Sequence, residues 1–247
     1  MRIFIISFFL STSLYAQTNP GIIEARSRLH IGLIYEDFSY EEPGVMTEEG
    51  TNGGVELESG ILISPNISFS LYGSYWDGRL QYDGSTFGGT PVQVMTGDYL
   101  YHLKAKLHFV FGNTVLSTGY AQRFWHNDLI VSYRRETEYQ YIPLKLTVYS
   151  GRFYYSFEYD HWLEGLNTSY MSDTGGGRRD VELKQNDGKG MGLEIGWIIP
   201  ASVQTKVYLR AHQWKVDASE SAFDGVDNLV EPENETLSLR LGMGIIF

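Results

Sequence analysis

The chain contains no cysteine among its 247 residues. This excludes disulfide staples, thiolate metal centres, cysteine nucleophiles and a lipid-modified N-terminal cysteine. Basic charge is scarce: 19 Lys and Arg stand against 30 Asp and Glu, a formal net charge of -11. No nucleic-acid partner is expected, because binding a phosphate backbone takes a surplus of Lys and Arg. No apolar run reaches the roughly 20 residues of a helical membrane span, and mean hydropathy is only -0.22. The patterns HExxH, CxxC and GxSxG are missing, so no metalloprotease, dithiol or nucleophile-elbow signature is present and no metal or cofactor is expected. Gly175-Gly176-Gly177-Arg178-Arg179 lacks the strand-to-helix setting of a phosphate cradle and reads as a loop tip.

Aromatic residues, by contrast, are abundant at 15%, with 18 Tyr and 13 Phe beside 27 Gly. Many aromatics and glycines at average hydropathy suit strands that are apolar on one side only. Residues 1–16 read as a secretory signal peptide: Arg2 opens it, Ile3 to Leu10 form an apolar core, and Ser11 to Ala16 form a small-residue exit. Leu14 is larger than the usual residue at its place. Residues 17–247 are then expected to form a single domain, opening on a short polar lead.

Beyond that lead the chain alternates with period two, the signature of strands with one apolar face. Leu29, Ile31, Leu33 and Tyr35 alternate with His30, Gly32, Ile34 and Glu36. The pattern returns around Val55–Ile63, Ile67–Trp76, Tyr99–Phe111, Ile142–Val148, Phe153–Tyr159, Met191–Ile199 and Val203–His212, and more weakly over Thr114–Phe124. It is cleanest at the end, where Leu237, Leu239, Leu241, Met243, Ile245 and Phe247 oppose Thr236, Ser238, Arg240, Gly242 and Gly244. Tight turns fall near Pro65, Asn113, Gly151 and Pro200, and long connections near 41–53, 83–97, 125–135, 165–187 and 217–234. Short turns on one rim and long loops on the other predict an all-β, closed antiparallel transmembrane barrel of about ten strands, with eight or twelve as alternatives. A soluble β-sandwich also alternates. Against it stand the aromatics at the ends of the apolar faces, as membrane girdles require, and the charges and glycines opposite them.

On this reading Glu36, Glu56, Glu58, Glu158, Asp160 and Glu194 face the lumen, as do Lys104, Lys106, Arg123, Lys206, Arg210 and Arg240. Balanced charges predict a lumen crossed by ion pairs and largely filled, since buried charge is costly unless paired. A belt near the loop side holds Glu36, Trp76, His102, Arg123, Asp160 and His212. With Lys104, Glu158 and Arg210 it forms the candidate ligand site, or else a network that stiffens the barrel mouth. The acidic groups Glu41, Glu42, Glu48 and Glu49, and those from Asp217 to Glu235, are expected to be solvated loops, with recruitment of divalent cations as the alternative.

The stretch Leu237 to Phe247, ending on a bare aromatic, resembles the assembly signal of small Gram-negative outer-membrane β-barrel proteins. That resemblance implies an outer-membrane location after Sec-dependent export, recognition by the barrel-assembly machinery, and a lipid and lipopolysaccharide environment. The expected role is structural or surface-interacting, as a monomer; a narrow porin-like channel is the alternative. Omptin surface proteases, also ten-stranded, pair Asp-x-Asp with Asp-x-His. Here the nearest counterparts are Glu158-x-Asp160 and Asp160-His161, and alternation turns His161 toward lipid. His212 could act toward Asp160 only if the strand between them did not intervene. No catalytic residue carries over, so an enzyme is not expected.

Overall fold

The computed structural model describes residues 22–85, 89–128, 133–200 and 202–247. The proposed signal peptide lies outside them. The described residues form thirteen strands: β1 (Arg28–Glu42), β2 (Met46–Ser64), β3 (Ile67–Ser85), β4 (Pro91–Phe111), β5 (Thr114–Asp128), β6 (Arg134–Ser150), β7 (Phe153–Ser169), β8 (Val181–Gln185), β9 (Gly188–Ile199), β10 (Gln204–Val216), β11 (Ala222–Phe223), β12 (Asn228–Leu229) and β13 (Asn234–Ile246). Each of β1 to β7 pairs antiparallel with the next, β7 continues to β9, β9 to β10, and β10 through β13 back to β1. The result is a closed antiparallel barrel of ten strands. β8 covers the upper part of β7, Gly165–Ser169, where β9 has ended.

The tight turns depend on glycine at two places. Gly112 and Gly151 have φ of 61° and 63°, left-handed values that a side chain disfavours. Both lie on the rim opposite the long loops.

The apolar face points outward. Leu33, Leu193 and Phe247 are 62%, 62% and 60% exposed, and Leu241 and Ile245 face the same way. An apolar exterior over a polar lumen inverts a soluble protein and is stable only in lipid. The outer edge of this belt is sharp: Tyr35 gives way to Asp37, Tyr75 to Asp77, Tyr120 to Gln122 and Tyr159 to His161 on outward positions. Tyr99 stacks on Tyr75 at 6.3 Å and on His126 at 4.5 Å along that edge, an aromatic girdle.

The strands do not stop at the girdle. β4 runs for 21 residues, about twice the 9–11 residues needed to cross the bilayer. This corrects the expected long loops. Only Pro43, Gly44 and Val45 separate β1 from β2, so 41–53 is a strand hairpin, and much of 83–97 and 125–135 is strand as well. Above the girdle the outward face turns polar and the inward face mixes apolar and polar residues, so the membrane-type alternation is lost while pairing continues. The 165–187 and 217–234 connections do hold irregular chain, but they carry β8 and the β11–β12 hairpin. These two segments lock together over the mouth: the Arg179 amide donates to the Asp224 carbonyl at 2.6 Å, and Arg178 pairs with Asp224 and Asp227.

The polar lead is corrected too. Ile22, Ile23 and Ala25, in and beside a 3-10 turn, pack inside the barrel against Val110, Val115, Tyr149, Tyr154, Ile198 and Tyr208. They form an apolar floor at the periplasmic end.

Candidate functional site

Above the floor lies a belt of ion pairs, each contributed by inward positions of separate strands. Glu58 takes Arg28 at 2.9 Å and Lys106 at 3.0 Å. Glu158 takes Lys104 at 2.9 Å and Arg210 at 3.0 Å. Glu194 takes Lys145 at 3.1 Å and Lys206 at 3.6 Å, and Glu36 takes Arg240 at 2.9 Å. Glu56 is held by the hydroxyls of Tyr72 at 3.1 Å and Tyr208 at 2.8 Å. The Lys104–Glu158 and Tyr208–Glu56 contacts cross the lumen between strands that are not neighbours.

The nine candidate residues all point inward. Glu36, Trp76, His102, Arg123, Arg210 and His212 line one small cavity. Lys104 and Glu158 line a second one toward the periplasm, and Arg210 and Arg240 line both. Asp160 is fully buried and bonded to His212, with Asp160 Oδ2 and His212 Nε2 2.8 Å apart.

That bond overturns the expectation that the intervening strand keeps the two apart. β9 does lie between β7 and β10, but it presents Gly190 and Gly192 where the side chains pass. A Cβ at Gly192 would stand 2.7 Å from His212 Cδ2, and one at Gly190 2.8 Å from Asp160 Oδ2. Glycine here provides room for a bridge across a strand. Glu158, Asp160 and His212 bring three potential ligand atoms within 4.8 Å of one another. Lys104 and Arg210 already occupy Glu158, so the charge a metal ion would supply is present as ammonium and guanidinium. The donor set does not fit a cation. His161 is exposed on the outer wall, as alternation predicts.

Arg123 departs from the expected charge pairing. Among the described residues no carboxylate lies within ion-pair distance of it; its guanidinium sits 5.2 Å from the ring centre of Tyr139, 5.9 Å from Phe38 and 6.0 Å from Trp125. The cation is held by aromatic faces. Those rings belong to two packed clusters at the outer end of the candidate site: Phe38, Tyr40, Trp76, Leu80, Leu100 and Trp125 on one side, and Tyr139, Tyr141, Trp162, Trp214 and Val216 on the other. A sequence reading that assigns inward positions to charge overlooks this layer, although Phe38, Trp125, Trp162 and Trp214 all fall on the lumen side of the alternation.

Above the aromatic layer comes a second polar stratum. Glu42 and Glu48, expected in a solvated loop, are buried inside the wall. Arg135 on β6 pairs with Glu42 on β1 at 2.7 Å, and these strands lie five places apart, on opposite sides of the barrel. Glu231, from the connection before β13, closes on the same group: Arg135 is 3.6 Å away and the Tyr40 hydroxyl donates at 3.2 Å. Burial pushes the Glu231 carboxyl up to about 7; Arg135 pulls against this and the charge of Glu42 adds to it. At the tip, Asp224 is held below the usual carboxylate range. Burial opposes this, but the amides of Val226 and Asp227 and the guanidinium of Arg178 outweigh it.

No protein-family model matches the chain, and no curated protein matches it. Solved structures similar to it are outer-membrane barrels. The outer membrane protease OmpT from Escherichia coli is 13% identical, with 94% of this chain and 100% of that chain covered and a TM-score of 0.49. An outer membrane channel from Pseudomonas putida F1 is 10% identical over 94% and 100% of the two chains, with a TM-score of 0.48. Ail, the attachment invasion locus protein of Yersinia pestis, is 11% identical over 90% and 99%, with a TM-score of 0.34. These likenesses concern the barrel fold and bear on no lumen residue.

Proposed function

We propose that this chain is a sealed outer-membrane barrel acting as a structural and surface-interaction protein, through the part of its wall that stands outside the lipid. The filling of the lumen carries this reading. From the periplasm outward a solute meets the Ile22–Ile23 floor, the ion-pair belt, the aromatic layer and the capped mouth. Arg210 and Arg240 line both cavities described above, each tied to a carboxylate. Opening a path would strand buried charges, at about 3–5 kcal/mol for each broken pair. The cap, in contrast, offers apolar side chains to the exterior: Phe223, Val226 and Val230 are 62%, 50% and 47% exposed on one short segment. Such groups on an otherwise polar tip suit contact with another surface.

The same reading has the chain exported by a signal peptide over 1–16 and inserted as a monomer through its terminal strand and Phe247. Lipopolysaccharide would then surround the outer girdle. Planar-bilayer recording on refolded protein tests the sealed lumen. The expected result is no stepwise conductance; steady openings altered by Lys104→Ala or Glu158→Gln would establish the narrow-channel alternative instead.

A second reading has one observation in its favour, the Asp160–His212 contact, which is the geometry of a general base and its orienting carboxylate. The pair sits beneath Trp214 and Tyr141, with Asp160 fully buried, so a polypeptide substrate has no approach to it. Incubation of the barrel with a basic peptide library decides this: cleavage abolished by Asp160→Asn would make the chain a protease.

A further inference from the structure

We propose that Glu48, Asn52, Asp98 and Asn127 form a site for a calcium-type divalent cation inside the extracellular half of the barrel. The site is independent of the sealed-lumen reading. The wall's register builds it. Asn52 on β2 is level with Gly78 on β3, Gly78 with Asp98 on β4, and Asp98 with Asn127 on β5. Four adjacent strands therefore present one row, above the girdle marked by Tyr75 and Tyr99. Glu48, higher on β2, reaches the end of the row, where the Asn127 amide nitrogen donates to Glu48 Oε1 at 2.5 Å and to Asp98 Oδ1 at 2.7 Å. All four residues are 3% exposed or less.

Two independent features point to a cation. The first is charge that no basic group contacts. Arg135, the guanidinium of this stratum, makes its ion pairs with Glu42 at 2.7 Å and Glu231 at 3.6 Å, and acts on Glu48 and Asp98 only from beyond ion-pair distance. Among the described residues no basic group stands within ion-pair distance of Glu48 or Asp98; their partners are Asn127, Trp125 Nε1 at 3.0 Å and the Thr96 hydroxyl. Two buried carboxylates with no counter-charge in contact are costly.

The second is a surplus of oxygen acceptors. Glu48 Oε2, Asn52 Oδ1 and Asn127 Oδ1 have no hydrogen-bond partner, and the Asn52 amide nitrogen has none either. Gly78 explains where the Asn52 head lies: a Cβ at Gly78 would collide with Asn52 Oδ1. The carboxamide is thus laid across β3 toward Asp98, in space that any other residue at 78 would fill. Rotating the Asn127 amide by half a turn, an assignment set only by its neighbours, exchanges its donor for an oxygen facing both carboxylates. Two carboxylates and two carboxamides make a hard, all-oxygen donor set. Calcium accepts such sets in flexible geometry, whereas magnesium demands a tight octahedron and keeps its waters.

The test uses protein refolded in lipopolysaccharide-free detergent, with terbium(III) as the calcium substitute and Trp125, bonded to Asp98, as the antenna. Excitation of tryptophan should give terbium emission that calcium displaces well before magnesium does, and calcium should raise the unfolding temperature. The isosteric Glu48→Gln/Asp98→Asn variant should fold, lose the calcium-induced shift, and bind terbium at least about tenfold more weakly. Asn52→Ala should weaken binding without abolishing folding. Trp125→Phe should dim the emission while keeping the calcium shift. The proposal is overturned by the absence of sensitised emission, by emission unchanged in the double variant, or by an unfolding temperature that calcium leaves where it was, the result expected if the two carboxylates merely share a proton.

Discussion

Gly192 and His212 are register partners on β9 and β10, and the missing side chain at the first lets the second bond Asp160 on β7. The link thus depends on an absence as much as on two polar groups. Gly192→Ala should push the imidazole aside, since its methyl would stand 2.7 Å from His212 Cδ2. A cost of about 1–3 kcal/mol is expected, as for other overpacked interiors. Gly53→Ala, where nothing lies within 4 Å of the new carbon, is the matched control. Urea titrations of the folded barrel, read by gel mobility, compare the two, and equal midpoints would dissociate Gly192 from the bridge.

The same bridge predicts what its ends do. Asp160 Oδ1 already lacks a partner, so His212→Ala leaves the buried carboxyl with neither oxygen hydrogen-bonded on the imidazole side. Destabilisation by about 1–3 kcal/mol is expected, as for a buried polar group that loses its partner. His212→Gln, which can still donate to Asp160, should recover much of it. A histidine kept for proton transfer would give the reverse pattern, with small stability effects in both variants.

How much of this was legible in the chain follows from where hydropathy contrast exists. Within the lipid belt, residues such as Leu193 against Glu194, or Leu239 against Arg240, sort by face, and a closed barrel of about ten strands follows from the alternation. Above Tyr35 and Tyr75 the outward face is polar and the inward face mixes Phe38, Tyr40 and Met46 with Glu42, Glu48 and Asn52, so the extended wall from Asp37 to Glu42 and from Met46 to Gly53 lacks the lipid-type alternation and reads as loop. The nine candidate residues were placed on the lumen side by parity alone, and parity cannot say that Arg123 would meet rings and not carboxylates. The Asp160–His212 bridge was hidden because it depends on Gly190 and Gly192, which in sequence are indistinguishable from glycines that merely relax a strand. Ile22 and Ile23 were overlooked as a floor because two apolar residues carry no period.

Glu231 gives the cap a pH dependence. Its carboxyl is raised to about 7 from an ordinary 4.5, chiefly by burial, so folding favours the protonated form. The sign follows from linkage: its contribution is full below about 4.5 and is lost as pH rises through about 7. Arg135 and Glu42 are the charged groups facing it. Hydrogen exchange over 217–233, corrected for intrinsic rates, should therefore show less protection at pH 8 than at pH 5. Glu231→Gln should flatten that difference, and a cap equally protected at both values would contradict the assignment.

The lipid face offers the most severe test of the architecture. Leu193 and Leu33 lie mid-belt on the outer wall, both 62% exposed, so neither makes the packing contacts that a core leucine would lose. In a soluble protein an exposed Leu→Arg change costs close to nothing. In a bilayer the guanidinium must sit near the midplane or drag water and headgroups toward itself, at about 2–4 kcal/mol. Leu193→Arg and Leu33→Arg should therefore destabilise the barrel in lipid vesicles by that amount. Asp37→Arg, two positions above Tyr35 on the same outward face, should cost far less because it lies beyond the girdle. Unfolding free energies in vesicles rank the three. If the arginine at 193 were as harmless as the one at 37, the apolar belt would not be facing lipid.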